Sequence, residues 1–312
     1  MPTAYYSHPD CRLHDMGAGH PECPQRLDAI DDLLLSTGLA PLLVQREAPC
    51  VDLADVDRAH ASGQVRELKD LLLRVEQAGR PRAVDPDTIA SPGTWRAVQR
   101  AAGAAVAATD AVLDGEFDNA FCAVRPPGHH ATRDQAMGFC FFNNVAVAAR
   151  HALDVRGLSR VAIVDFDVHH GNGTEDIVAG DDRILMVSFF QDPLYPYSGG
   201  VPKGTNMLNL PIPPHTAGTE IRELIHAHWM PRLEAFKPQM IFISAGFDAH
   251  REDQLGQLGL VEADYEWITR QVKQVADRHA RGRMVSCLEG GYALGALARS
   301  VVAHLRVLAD LS

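Results

Sequence analysis

The sequence predicts an α/β protein in which a mainly parallel sheet is covered on both faces by helices. Three observations lead there. Short apolar, β-branched runs alternate with longer segments of helical period. Nearly every short run ends in polar residues accompanied by Gly or Pro. No internal repeat and no Pro/Gly/Ser-rich linker divides the 312 residues, so 1–312 are read as one domain.

The elements follow in order. Thr94–Leu113 places Trp95, Val98, Ala102, Ala105, Val106, Thr109 and Val112 on one helical stripe. Ala120–Val124 is a buried strand, and Phe142–Leu153 a helix. Val161–Val168 and Ile184–Phe189 are strands, separated by a loop at Asp181–Asp182. The Gly- and Pro-rich stretch Pro193–Pro214 reads as surface loop. Thr219–Phe236 is a helix, Met240–Ser244 a strand, Glu262–Arg281 a helix, Arg283–Leu288 a strand and Ala293–Leu311 a helix. In open α/β sheets the ligand site lies outside the carboxyl ends of the strands, so chemistry is expected there.

Composition narrows the function classes. The chain is 46% hydrophobic and 22% charged, which excludes disordered, collagen-like and coiled-coil chains. A formal net charge of −11 argues against a nucleic-acid binder, which usually carries a basic face. No apolar run reaches membrane-spanning length, and the N-terminus shows no secretory signal pattern. The six cysteines form no CxxC pair, so a reducing, cytoplasmic compartment is expected. Cys140 and Cys287, beside polar motifs, read as core packing. Homo-oligomerisation is left open.

Four constellations carry the chemistry. In VAIVDFDVHHGNGTE (161–175), Asp165, Asp167 and His169 alternate with apolar residues. A strand persisting through them would set all three on one face. Two carboxylates and an imidazole leaving a buried strand need a partner, either a cation or an Arg/Lys network. Asp and His together suit zinc or another divalent transition metal. In SAGFDAH (244–250), Asp248 stands where a strand should end; it is a third ligand, or a helix cap or turn residue. Three ligands with one position open is the catalytic arrangement of zinc. In RPPGHHA (125–131), Pro126, Pro127 and Gly128 make a stiff exit that presents His129 and His130, a pair able to share a water, one of them as general base. In LEGGY (288–292), Tyr292 follows two glycines and could donate to an oxyanion.

Together with GFCFFNN (138–144), GHPECPQRL (19–27) and DTIASPGTWRAVQRAAGAA (87–105), these segments resemble the histone deacetylase superfamily, specifically its class II branch and the bacterial amidohydrolases of that branch. They run from residue 19 to residue 292 in family order. The resemblance implies the arginase/deacetylase fold, a single α/β domain with a central parallel sheet of about eight strands. It carries the zinc ligands onto Asp167, His169 and Asp248, the water-activating pair onto His129 and His130, and the oxyanion donor onto Tyr292. Asp165 would orient His129, and Asn172 would stand behind His130; Asn at 172 in HHGNGT fits class II. Phe139 and Tyr195 would wall the tunnel that grips the acyl-lysine stem. A family potassium site would use Asp165, Asp167, His169 and Ser188, partly through backbone carbonyls. The implied substrates are acetylated lysine in peptide or protein, or acetylated polyamine. Leu255, seven residues beyond Asp248, resembles the choice of a lysine deacetylase. Glu252 and Asp253 lie one loop shift from the rim, and PECP partly resembles a polyamine-type constriction. A noncatalytic acyl-lysine binder would be expected to have lost one of these residues, and a ureohydrolase would need two bridged metals with more acidic ligands.

Overall fold

The computed structural model describes residues 2–311. Eight strands form one wholly parallel sheet: β1 (Thr3–Ser7), β2 (Val44–Glu47), β5 (Asn119–Cys122), β6 (Val161–Asp165), β7 (Ile184–Gln191), β8 (Met207–Ile212), β9 (Ile241–Ala245) and β10 (Met284–Leu288). A two-stranded antiparallel ribbon, β3 (Arg82–Ala83) with β4 (Ile89–Ala90), stands apart. The order across the sheet is β2-β1-β5-β10-β9-β6-β7-β8. The four central neighbours, β5, β10, β9 and β6, are buried at every position, as strands covered by helices on both faces must be.

Ten α-helices are found among the described residues: α1 (Gln25–Ser36), α2 (Leu53–Ala59), α3 (Ser62–Ala78), α4 (Thr94–Leu113), α5 (Asn144–Asp154), α6 (Asn172–Val178), α7 (Gly218–Leu224), α8 (Met230–Phe236), α9 (Glu262–Val275) and α10 (Leu294–Leu308). A π-turn at Ile225–Trp229 joins α7 to α8. The apolar stripe of α4 buries Val98, Ala102, Ala105, Thr109 and Val112. Asn143 caps α5, its side chain accepting from the Ala146 N–H at 3.0 Å. No helix among the described residues is long and apolar enough to cross a membrane.

Two expectations are corrected. Residues 193–214 are not all loop, since Met207–Ile212 forms the edge strand β8. Its outer side has no partner strand, so its burial is partial, and Pro211 is tolerated at an edge. The strand at 161 ends at Asp165 rather than Val168. Beyond it, carboxylates take over the backbone N–H groups. Asp165 accepts from Asp167 N at 3.1 Å, Asp248 from Val168 N at 2.9 Å and Asp167 from His169 N at 2.9 Å. The alternation of Asp165, Asp167 and His169 survives as a turn held by side chains.

Candidate active site

All eight strands run the same way, so every carboxyl end lies on one edge of the sheet. The four motifs leave the four adjacent central strands: 125–131 from β5, 289–292 from β10, 246–250 from β9 and 166–171 from β6. Segments 36 to 161 residues apart in the chain therefore share one spot.

Asp167, His169 and Asp248 converge there, each offering a ligand atom within 4.8 Å of the others. Both carboxylates are fully buried, and His169 keeps one edge open. His169 Nδ1 lies 3.1 Å from an oxygen of each aspartate. Burial and the neighbouring Asp167 push the Asp248 carboxyl upward, the response of two carboxylates confined without water. Gly290 N donates to Asp167 at 2.8 Å. A Cβ on Gly290 or on Gly246 would collide with the Asp248 or Asp167 carboxylate, so only glycine lets these loops close on the cluster.

The two adjacent histidines have different environments. Their ring centroids are 4.0 Å apart. His129 Nδ1 donates to Asp165 at 3.0 Å, and its Nε2 lies 3.8 Å from Asp167. Burial opposes charge on His129, but Asp167 and Asp165 outweigh it and raise its pKa well above the ordinary value. His130 Nδ1 faces the neutral amide oxygen of Asn172 at 2.7 Å. Burial, with His129 and His169 nearby, drives its pKa well below the ordinary value.

A cavity of about 260 Å³ leads to this cluster, lined by His130, Phe139, His169, Leu194, Tyr195, Leu255 and Tyr292, with Asp87 and Tyr197 toward the outside. Of the residues singled out by sequence, His130, His169, Phe139, Tyr195, Leu255 and Tyr292 meet in this space. His129, Asp165, Asp167 and Asp248 stand behind it. Ser188 lies in register with Asp165 on the neighbouring strand. The Tyr292 ring is held between Phe139, edge-on with centroids 6.0 Å apart, and the Arg26 guanidinium 5.0 Å from its centroid.

The acids near residue 252 do not reach the rim. The Asp253 carboxylate is buried and accepts from Tyr292 N at 2.7 Å, Ala293 N at 3.0 Å and Leu255 N at 3.0 Å. Glu252 is taken by Arg299 at 2.9 Å. Glu22 of PECP does not narrow the mouth either, being fully buried under two arginines.

Several supports carried no role in the sequence reading. Glu289 accepts from Gly128 N at 2.6 Å and His129 N at 3.1 Å, and Ser244 Oγ donates to its other oxygen at 3.2 Å. Beneath it, Glu22 binds Arg125 at 2.5 and 2.6 Å and Arg26 at 3.0 Å. Arg26 in turn donates to the carbonyls of Glu289 at 2.5 Å and Gly291 at 2.7 Å. A charged residue inside an otherwise apolar or glycine-rich motif was the available signal.

The parallel sheet thus gathers an Asp-His-Asp cluster able to hold a metal ion, an adjacent histidine pair and a tyrosine at one cavity, the donor types a metal-dependent hydrolase requires. Residues 20–308 match the histone deacetylase domain, and the chain belongs to that family. It is 40% identical to the histone deacetylase-like amidohydrolase of Pseudomonas aeruginosa over 282 residues, covering 88% of this chain and 73% of that protein. It is 37% identical to a probable deacetylase of Archaeoglobus fulgidus, covering 95% of this chain and 83% of the other. Its fold matches the crystal structure of the HDA15 HD domain with a TM-score of 0.91 at 31% identity, over 100% of this chain and 90% of that one. The chain is thus a deacetylase-family amidohydrolase.

Proposed function

We propose that this protein hydrolyses the amide of N-acetyl (acyl) lysine side chains, releasing a free amine and a carboxylate. The carrying observation is the convergence of Asp167, His169 and Asp248 at the inner end of a cavity bearing His130 and Tyr292. Two buried carboxylates and one imidazole, with no Lys or Arg among their hydrogen-bonding and ion-pair partners, form a donor set that fits zinc. A zinc ion bound there would supply Lewis acidity toward the amide carbonyl and lower the pKa of a water.

The protein's own groups do the rest. His130 faces the cavity, and its Nδ1 proton is committed to Asn172, which leaves Nε2 as the acceptor for a proton from water. The water oxygen then attacks the amide carbon. Tyr292 donates its hydroxyl proton to the oxyanion, a contribution of about 3–4 kcal/mol for one well-placed donor. Protonated His130 returns the proton to the leaving nitrogen. His129, oriented by its hydrogen bond to Asp165, stands behind His130 as the second imidazole of the pair. Phe139, Tyr195, Leu194 and Leu255 surround the lysine stem with apolar wall. Asp165, Asp167 and His169, with Ser188 in register on β7, are the residues proposed to hold potassium, partly through backbone carbonyls, since the Asp167 and His169 side chains serve the zinc site.

Turnover of an acetyl-lysine peptide and of N-acetylated polyamines by zinc-loaded protein tests the reading. Hydrolysis of the peptide in preference, abolished by a chelator and restored by zinc, is expected. Preference for the polyamine would replace the substrate assignment; hydrolysis of neither would overturn the proposal.

A further inference from the structure

The loop between β7 and β8 carries two large apolar side chains that the fold leaves in water. Tyr197 is 78% exposed and Val201 85%, the highest values among the large hydrophobic side chains in the described residues. Tyr197 also lines the cavity, and its high exposure puts it at the solvent side of that wall. It does not hang loosely. Its backbone is left-handed (φ 59°), which is unfavourable for a residue with a side chain. Its N–H donates to Leu194 O at 2.8 Å, and Leu194 packs on the core.

The far side of the loop is pinned as firmly. Asn209 donates to Gly199 O at 2.9 Å, and Glu175 accepts from Asn209 at 2.9 Å and Lys203 N at 3.0 Å. Glu175 also holds His170 at 2.9 Å, and Gly199 lies so close to the His170 ring that a Cβ there would overlap it. The loop is therefore a fixed arm that presents an aromatic ring to solvent at the cavity mouth. What sets Tyr197 apart from a scattered surface side chain is that it is also part of the cavity wall, beside Leu194, Tyr195 and Leu255.

We infer that this arm is a docking subsite for an apolar side chain flanking the acyl-lysine of a polypeptide substrate, with Tyr197 as its specificity-determining residue. The inference rests on the deacylase reading and deepens it. On the acyl-lysine reading the cavity takes up the lysine stem. A ring at its mouth meets whatever the stem is attached to. On a polypeptide that is backbone and a neighbouring side chain, whose apolar surface can cover the ring.

The test compares kcat/KM of the zinc-loaded protein on two acetyl-lysine peptides, with Leu or Gly next to the modified lysine, and on an acetylpolyamine. The unaltered protein should prefer the Leu peptide. Tyr197→Ala should shrink the Leu-to-Gly ratio about fivefold, the scale of one aromatic contact. Tyr197→Phe should keep the ratio, because the ring and not the hydroxyl makes the contact, and Val201→Ser should lower it less. An equal loss on both peptides and on the polyamine would overturn the inference, as would a ratio of one in the unaltered protein. Hydrolysis of the polyamine with no peptide accepted would overturn the acyl-lysine reading as well.

Discussion

Replacing Glu22 by Gln removes one negative charge with almost no change of shape, at a point that braces the active site from beneath. Glu22, Arg26 and Arg125 are fully buried. Burial pushes the Glu22 carboxyl up, but Arg125 and Arg26 outweigh it and bring it down to about 2. Against the ordinary value of 4.5, that corresponds to about 3 kcal/mol of folding stability. Breaking a buried ion pair from one side costs about 3–5 kcal/mol, so the two routes agree. In the variant both guanidiniums keep carbonyl acceptors, Cys11 and His14 for Arg125, Glu289 and Gly291 for Arg26, but lose their counter-charge. The expected result at pH 7 is a Tm lowered by about 5–10 °C. A fall in kcat of about tenfold should accompany it, because Arg26 fixes the loop that carries Tyr292. Calorimetry and turnover on one preparation measure both. A depressed carboxyl contributes stability above its unfolded pKa and loses it as pH falls toward the folded value. The Tm gap between the two proteins should therefore close between about pH 4.5 and pH 2. The exposed pair Glu252–Arg299 is the control, since Glu252→Gln should move Tm by less than about 2 °C. A Glu22→Gln protein as stable as that control at pH 7 would refute the reasoning.

Three further outcomes are expected. Tyr292→Phe should lower kcat by about 10²–10³ while metal content by elemental analysis and Tm stay near the original, because the ring remains held by Phe139 and Arg26; near-full turnover would remove the hydroxyl from the mechanism. Asp248→Ala should lower zinc occupancy together with rate, and unchanged occupancy would show that the ligand set is wrong. His304, buried between Thr269 and Ser286 at 2.7 and 2.9 Å, is pushed by burial down to about 3. Its folded pKa lies below the unfolded value of 6.5, so its neutral form favours the fold above pH 6.5 and stability falls below it. At pH 5 this site costs about 2 kcal/mol, and His304→Gln should flatten the Tm profile between pH 7 and pH 5.

Much of the site was legible because its chemistry is written in short segments. Asp167, His169 and Asp248 meet as their residue types suggested, and His129 and His130 stand where a Pro-Pro-Gly exit would present them. The central strands were legible too, since burial on both faces makes each a nearly continuous apolar run. The edges were not. β8 packs with partial burial and includes Pro211, so its composition resembles that of a loop. β1 and β2, with α1 to α3, lay outside the sequence reading apart from the motif at 19–27.

What the sequence by itself determined was the fold class, the family and the candidate residues for the proposed chemistry, because local periodicity and residue chemistry depend on near neighbours. Tertiary structure alone decided which groups meet and in what state. The order β5-β10-β9-β6 places the His pair beside the Tyr292 loop and the aspartates beside both. It gives His129 a carboxylate partner and His130 an amide, which sets the two adjacent rings in different environments. It also turns Asp253 inward to hold Tyr292 and leaves Tyr197 outward at the mouth. Those outcomes depend on burial and on contacts across 36 to 161 residues of chain, and such distances carry no local signal.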